Sequence, residues 1–404
     1  MSEHPPKSKV LYLSFSLSIA AALSLGVTRF AYGLLLPPMR ADLDWSYTTA
    51  GAMNTINAFG YFLGALSTPL LMRRWGAVSL LLSGAVLSTI FMAGCGFYLE
   101  TESLLAMRFL SGVSSALIFV AGGLLSARLG SILHERAGLI LGLYYGGTGT
   151  GIVLSALIVP IVLHYSQEEA HSWKYAWWAL SILCGIFTLF LYRPMLELQS
   201  MGLHTTSTQK DKESKVQYFS FFMALLGYGL FGVGYIGYMT FVIALLREMG
   251  VKPILITLFY TSLGLATIAG GKSWSRLLDT AKGGGALAIL NGLLGFCVLV
   301  PALSTNPFGI LFSGVLFGSI FLSVVASTTA FVRHNLNQTL WAKGISAFTI
   351  VFALGQILGP TIVGLIADGA GGVENGLVFS SISLWIGAAL AWSQKKLGSE
   401  KTLV

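Results

Sequence analysis

The chain has 404 residues, of which 55% are hydrophobic and only 10% carry a charge. Soluble globular proteins average about 25% charged residues, so the composition excludes a soluble domain and predicts an integral membrane protein. The formal net charge of +8 is typical of nucleic-acid-binding proteins too, but here a membrane topology explains where the basic residues lie.

Apolar segments of about 20 residues or more recur along the whole chain. This length lets an α-helix cross the hydrocarbon core, and the segments lack the alternating pattern of outer-membrane strands. The sequence therefore predicts an all-α membrane protein with twelve transmembrane helices in two six-helix pseudo-repeats. The predicted spans lie at about 10–36, 48–72, 78–99, 104–127, 137–163, 173–193, 218–246, 252–274, 284–304, 307–331, 344–367 and 374–393.

The only long hydrophilic stretch, 194–217, separates the two sets of six spans. We expect an N-terminal bundle at 1–193, a cytoplasmic linker at 194–217 and a C-terminal bundle at 218–404. The first apolar run superficially resembles a secretory signal, but it is too long for one and has no convincing cleavage site. It is therefore interpreted as the first spanning helix.

Lysine and arginine residues in the loops, in the tails and near the ends of the spans are unevenly distributed between the two sides. With the N-terminus in the cytoplasm, eighteen of them lie inside and four outside. This distribution follows the positive-inside rule. It puts both termini in the cytoplasm and explains the basic balance without a nucleic-acid partner. We also expect a multi-pass monomer in the cytoplasmic (inner) membrane, surrounded by the lipid bilayer.

Arg29 interrupts the first apolar run, within Gly26-Val-Thr-Arg-Phe-Ala-Tyr-Gly33. A guanidinium that faces lipid costs several kcal/mol, so Arg29 should face protein or a water-filled cavity. Two interpretations follow. Arg29 binds the substrate, or it binds neighbouring carbonyls and locks helix packing.

The two halves repeat short patterns at nearly the same offset. Arg29 aligns with Tyr235 in the seventh span, 206 residues later, and Ser111-Gly-Val in the fourth span aligns with Ser313-Gly-Val in the tenth, 202 residues later. Repeated halves predict a substrate site at their interface, near the membrane midplane.

Arg108 is a second cation within a predicted span, and all sixteen acidic residues map to loops or tails. Two buried cations need a counter-charge, which predicts a small organic anion as substrate, held by bidentate guanidinium bonds. The alternative is that Arg108 pairs with Glu102 or with carbonyls near the interface.

Polar side chains at helical spacing add further candidates. Asn54, Asn57 and Tyr61 share one face of the second span, where they orient the substrate or pack helices together. The full set of candidate substrate-binding residues is Arg29, Tyr32, Asn54, Asn57, Tyr61, Arg108, Tyr235, Tyr238 and Gln356.

Six plus six helices, a basic loop after the second span and a longer middle loop resemble the major facilitator superfamily. More narrowly, Gly26 to Pro38 followed by Asn57 to Gly64 resembles its YbfB/YjiJ-like branch. The pattern departs from the superfamily at Arg73, where an acidic residue is usual, and at Gly147, where proline is usual. The residues at the positions of its conformational motifs are Gly64, Arg73, Arg74, Gly112, Gly142, Gly146, Arg276, Gly355, Gly359 and Pro360.

The resemblance implies a secondary transporter that works by alternating access, and no enzyme. Gly146-Gly-Thr-Gly-Thr-Gly151 resembles a phosphate loop but lies in an apolar span, so it predicts close helix packing. The histidines, His134 and His204 among them, fall in loops or tails without metal-ligand spacing, and we expect neither a metal nor a cofactor.

Alternatives to an organic-anion carrier are an efflux pump for hydrophobic or cationic drugs and metabolites, and a membrane sensor without transport. The sequence places no carboxylate or histidine in the middle of a span, where proton-driven carriers commonly have one. This favours exchange, facilitated diffusion, or symport in which the substrate carries the proton.

Overall fold

The computed structural model describes residues 6–133, 136–201, 217–337 and 340–397, which form helices and short connections. The helices are α1 (Lys7–Ala21), a π-helical segment (Ala22–Phe30), α2 (Tyr32–Asp42), α3 (Tyr47–Trp75), α4 (Ala77–Gly94), α5 (Thr101–Ile132), α6 (Ala137–Tyr165), α7 (Trp173–Ser200), a 3₁₀ turn (Tyr218–Phe221), α8 (Phe222–Glu248), α9 (Pro253–Ser273), α10 (Ser275–Thr280), α11 (Gly285–Leu303), α12 (Pro307–Asn335), α13 (Trp341–Ala367) and α14 (Gly372–Ser393).

All twelve predicted spans are helical, and the predicted fold class is confirmed. The first span comprises α1, the π-helical segment and α2. Helices α3 to α9 form the second to eighth spans, and α11 to α14 form the last four, while α10 is a short connector. Eleven of the described spans are long and apolar enough to cross a membrane. Helix α3 falls short of this measure because of its amides and hydroxyls.

Helix α7 continues past the predicted end of the sixth span at 193 to Ser200. Glu197, predicted to lie in a loop, is therefore in the last turns of a helix, where it pairs with Lys9 at 3.4 Å. Both side chains are exposed, so this ion pair adds little stability. Residues 202–216 of the predicted linker lie outside the described residues, as do His134 and His204.

The chain divides into two compact units. Unit 1 comprises Met1–Trp45, Ile56–Ser207 and Tyr260–Ile268, and unit 2 comprises Ser46–Thr55, Thr208–Phe259 and Ala269–Val404. Helices α3 and α9, the second and eighth spans, each contribute residues to both units. The two helices that are divided between the units therefore occupy equivalent positions in the pseudo-repeat.

In unit 1, α1 and the π-helical segment pack backbone to backbone against α6. A Cβ added at Gly147 would lie 1.9 Å from the Ser18 carbonyl oxygen, and one added at Gly26 would lie 2.6 Å from Gly151 Cα. Only glycine permits such an approach, which is the small-residue contact typical of membrane helices. The packing interpretation of the glycine-rich stretch in α6 is confirmed.

In unit 2, glycines permit the same backbone-to-backbone contact between α8 and α13. A Cβ added at Gly355 would lie 2.2 Å from the Gly229 carbonyl oxygen, and one at Gly359 would lie 2.7 Å from that of Val233. Helices α8 and α13 are the seventh and eleventh spans, the counterparts of the first and fifth. The pseudo-repeat therefore extends from sequence patterns to a shared packing contact.

The first turn of α3 is held within unit 2 by Asp368, which follows α13. Its carboxylate accepts hydrogen bonds from the backbone N–H groups of Tyr47 (2.6 Å) and Thr48 (2.9 Å) and from the Thr48 hydroxyl (2.6 Å). The first N–H groups of a helix have no partner within it, and a negative charge near them is favourable. Asp368 thereby fixes where α3 begins.

Candidate functional site

Arg29 lies on the π-helical segment and is only 3% exposed. Its guanidinium carbon is 5.5 Å from the centroid of the Tyr61 ring. Among the described residues, its buried Nε and Nη2 have no hydrogen-bond partner. These two nitrogens form one edge of the guanidinium, with parallel N–H bonds. This edge matches the two oxygens of a carboxylate.

The described part of the chain supplies Arg29 with no acidic partner. The ion pairs among the described residues are Lys9 with Glu197 and His171 with Asp42. The described carboxylates lie in loops, at helix ends or in the short α10. A buried donor without an acceptor costs about 1–3 kcal/mol, and more when charged. The Arg29 edge therefore favours any anion that reaches it.

Arg108 has a different environment. Its Nη1 donates a hydrogen bond to the Thr28 carbonyl at 2.7 Å. Its guanidinium carbon lies 5.1 Å from the Tyr32 ring centroid and 5.5 Å from that of Trp177. This geometry corresponds to the alternative interpretation, in which Arg108 binds a backbone carbonyl, and it places Tyr32 against Arg108.

Side chains from neighbouring helices bind the carbonyl groups of the π-helical segment. The Ser24 carbonyl accepts a hydrogen bond from Ser115 of α5, and the Phe30 carbonyl accepts one from the Tyr260 hydroxyl of α9 at 2.8 Å. Together with the Arg108 bond, these contacts satisfy backbone groups that lipid would leave without partners. π-Helical turns occur frequently at functional sites, and here one carries Arg29.

An aromatic cluster adjoins Arg29 through Tyr61. It consists of Tyr61, Phe119, Tyr144 and Tyr145, on α3, α5 and α6. Ring centroids are separated by 6.5 Å between Tyr61 and Phe119 and by 5.8 Å between Phe119 and Tyr145. The Tyr144 hydroxyl donates to the Phe119 carbonyl at 2.6 Å, which fixes one ring of the cluster.

The predicted amides of α3 contact neighbouring helices. Asn57 Nδ2 donates to the Arg108 carbonyl (3.0 Å) and to Ser111 Oγ (3.1 Å), so it joins α3 to α5. In unit 2, Asn54 Nδ2 donates to the Thr240 hydroxyl at 2.7 Å. Both contacts are of the kind that holds membrane helices together.

Of the three remaining candidates in unit 2, the structure brings two together and gives the third another partner. Gln356 Nε2 donates to the Tyr235 hydroxyl. The Tyr238 hydroxyl bonds with Ser313 Oγ at 2.9 Å, and Ser313 donates to the Cys297 carbonyl at 2.7 Å. Tyr235, the counterpart of Arg29, is thus held by a neutral amide.

The residues matched to conformational motifs differ in their surroundings. Arg73, Arg74 and Arg276 are exposed. Gly64 and Gly112 lie in the tight contact between α3 and α5. A Cβ at Gly142 would meet nothing within 4 Å and one at Gly146 nothing closer than 3.5 Å, so the close contact of α6 falls instead on Gly147 and Gly151. Near the start of α3, a Cβ added at Gly51 would lie 2.3 Å from the Pro360 carbonyl oxygen.

Replacing Arg108 by alanine is expected to destabilise the protein by about 2–4 kcal/mol, because it removes a charged hydrogen bond and leaves the Thr28 carbonyl buried. The expected result is a lower melting temperature and faster amide exchange in residues 22–30. Replacing the exposed Arg73 by alanine is the control and should change neither. An unchanged melting temperature in the Arg108 variant would contradict the role in binding this carbonyl.

A family model described as "Uncharacterised MFS-type transporter YbfB" matches residues 21–392. The chain belongs to this family. The resemblance found in the sequence is thereby confirmed.

Curated relatives are more distant. "Efflux pump radE" of Floropilus chiversii is 25% identical over 189 residues, which are 46% of this chain and 33% of the relative. The chain spans between 25% and 43% of the length of the curated relatives it matches. Their names therefore do not establish the substrate of this chain.

Two solved structures have the same fold. One is a bacterial homologue of the human lysosomal transporter Spinster, inward-facing and unoccupied, with a TM-score of 0.66, 14% identity and coverage of 96% of this chain and 97% of that one. The other is the nucleoside transporter NupG, with a TM-score of 0.61, 14% identity and coverage of 96% and 99%. The family and these structural neighbours are transporters, not enzymes.

Proposed function

We propose that the protein is a secondary transporter that moves a small, carboxylate-like organic anion across the cytoplasmic membrane by alternating access. The observation that supports this most directly is the buried Nε and Nη2 edge of Arg29, which has no acceptor among the described residues. An anion would supply both the missing charge and the missing oxygens. A carboxylate would do so with two parallel charge-assisted hydrogen bonds.

In this proposal Arg29 binds and orients the anion, with the Tyr61 ring beside its guanidinium, while Arg108 acts on the site indirectly. Thr28 directly precedes Arg29. Because Arg108 binds the Thr28 carbonyl, it holds the π-helical segment in place and so positions the Arg29 side chain. Arg108 is therefore proposed as a positioning residue.

The charge of Arg29 also bears on how transport is coupled. An empty carrier must change conformation with a cation that lacks a counter-ion, whereas a loaded carrier holds a neutral pair, which costs less in a low-dielectric site. The described residues offer no carboxylate in the middle of a span that would take up a coupling proton. We therefore propose exchange of one anion for another by alternating access.

The second candidate is efflux of apolar compounds. In unit 2, the rings of Tyr228, Phe231, Tyr235 and Phe352 stack with centroids 4.8 to 5.6 Å apart, and one relative is named an efflux pump. These rings cover one another's faces, however, and a neutral or cationic cargo would leave Arg29 without a partner. The anion carrier is the better-supported function.

A matched set of ligands tests the proposal on purified protein. Butyrate, butyramide and butylammonium have similar size and differ in charge, and thermal-shift measurements report binding. We expect butyrate alone to raise the melting temperature. In proteoliposomes, unlabelled carboxylate inside should accelerate uptake of labelled carboxylate. Stabilisation by butylammonium or butyramide, with no response to carboxylates of any chain length, would overturn the anion assignment in favour of the second candidate.

A further inference from the structure

We infer that the Arg29 site is selective for aryl carboxylates, anions whose carboxylate is attached to an aromatic ring, with Tyr61 and Phe119 as specificity-determining residues. This inference rests on the proposed function, because it specifies the body of the anion that Arg29 would bind.

The aromatic cluster begins at the Arg29 guanidinium. The Tyr61 ring lies beside it at 5.5 Å, and Phe119 follows at 6.5 Å from Tyr61. Phe119 is one turn beyond Ser115, which binds the Ser24 carbonyl of the π-helical segment. Residues four apart on a helix share a face, so α5 presents Phe119 on the side that holds the segment carrying Arg29.

The rings of the cluster leave aromatic surface uncovered. Tyr61 and Phe119 are half-buried, and Tyr145 is 38% exposed. Neighbouring rings meet at interplanar angles of 35° to 64°, so no ring closes off the face of the next. Tilted and edge-to-face contacts are the arrangements that one more aromatic ring would extend.

The stacked rings of unit 2 provide the contrast within the same chain. Their interplanar angles are 10° to 20°, so each ring covers its neighbour's face. The position equivalent to Arg29 is occupied there by the neutral Tyr235, whose hydroxyl accepts a hydrogen bond from Gln356. Unit 1 thus places a cation beside open rings where unit 2 places a neutral hydroxyl beside stacked ones, and an anion attached to a ring complements both features of the unit 1 site.

Fixed neighbours give the cluster a defined shape. The Tyr144 hydroxyl is bound to the Phe119 carbonyl, and a Cβ added at Gly122 would lie 2.8 Å from that hydroxyl. Tyr144 is thus held by α5 and supports the Phe119 ring from one side. Tyr61 and Phe119 are therefore the rings that would discriminate between an aromatic and a saturated ligand.

Benzoate and cyclohexanecarboxylate test the inference because they share a carboxylate and a six-membered ring but differ in aromaticity. In calorimetric titrations of the full chain in nanodiscs, benzoate is expected to bind about three- to tenfold more tightly. Tyr61→Leu and Phe119→Leu should reduce this ratio to near one. Phe97→Leu, at an exposed ring outside the cluster, is the matched control and should preserve it.

The outcomes separate the inference from the function on which it rests. Equal affinities for the two acids, both lost in Arg29→Ala, would overturn the aryl preference and leave the anion carrier standing. Binding of benzamide as tight as that of benzoate, or no binding of either acid together with no response to butyrate, would overturn the anion carrier itself. No binding of either acid while butyrate still binds would overturn the aryl preference alone. If Tyr61→Leu does not fold, Phe119→Leu and the conservative Tyr61→Phe, which should retain the ratio, decide the question.

Discussion

Replacing Arg29 by alanine is expected to lower carboxylate affinity by about 30-fold or more. Removing one partner of a buried, hydrogen-bonded charge pair costs 2 kcal/mol or more. The change deletes both N–H donors of the edge that has no acceptor among the described residues. Arg29→Lys should retain part of the binding, because an ammonium supplies the charge but cannot present two parallel donors. Calorimetric titration with the carboxylate that binds wild type most tightly measures both.

In the absence of ligand, replacing Arg29 is expected to leave the stability of the protein unchanged or to increase it, in contrast to the loss of ligand affinity. Arg29→Met removes a buried cation that lacks an ion partner among the described residues, and replacing such a charge with an apolar side chain of similar length is neutral or stabilising. The melting temperature of the empty protein should therefore stay the same or rise while binding is lost. Arg73→Ala, at an exposed cation, serves as control. Loss of binding together with a large fall in melting temperature would mean that Arg29 is structural.

The positions of the helices could be predicted because the thickness of a bilayer sets how long an apolar run must be. The end of α7 could not be predicted in this way. Past residue 193 polar residues become frequent, as they do wherever a helix leaves the hydrocarbon, and polarity does not separate a loop from a helix that continues into water. Pro194 also signals a break, yet α7 includes it.

The sequence identifies both intramembrane arginines but treats them alike. Their difference arises from the backbone of the first span. There the π-helical segment offers the Thr28 carbonyl to Arg108, while the Nε and Nη2 edge of Arg29 has no acceptor among the residues that the structure describes. A π turn has no residue pattern of its own in an apolar run, so its location could not be predicted. What the residues did provide was the signal that Arg29 is out of place in hydrocarbon.

The amides of α3 show a similar limit. Their spacing predicted a shared helix face, but whether a face meets a ligand or another helix depends on how closely the next helix packs. At Asn57 the backbone of α5 is so close that a Cβ at Gly112 would lie 2.1 Å from the Asn57 carbonyl oxygen. Glycine in α5 permits this contact, and Asn57 then bonds to α5. The substrate role of Asn57, like that of Asn54, stays a prediction.

Replacing Gly147 by alanine is expected to destabilise the protein by about 3 kcal/mol. The added methyl group would lie 1.9 Å from the Ser18 carbonyl oxygen, and the atom it meets is backbone, so α1 and α6 must separate. Gly142→Ala is the matched control on the same helix. Its Cβ would meet nothing within 4 Å, and alanine favours helix by up to about 1 kcal/mol.

Thermal unfolding should show a lower melting temperature for Gly147→Ala and an equal or higher one for Gly142→Ala. Because Gly26 of the π-helical segment rests on Gly151, one turn from Gly147, separation of the helices should also displace Arg29 and weaken carboxylate binding in the folded fraction. If both variants melt like wild type, α1 and α6 do not depend on the glycine contact. The path from that contact to the position of Arg29 would then have to be abandoned.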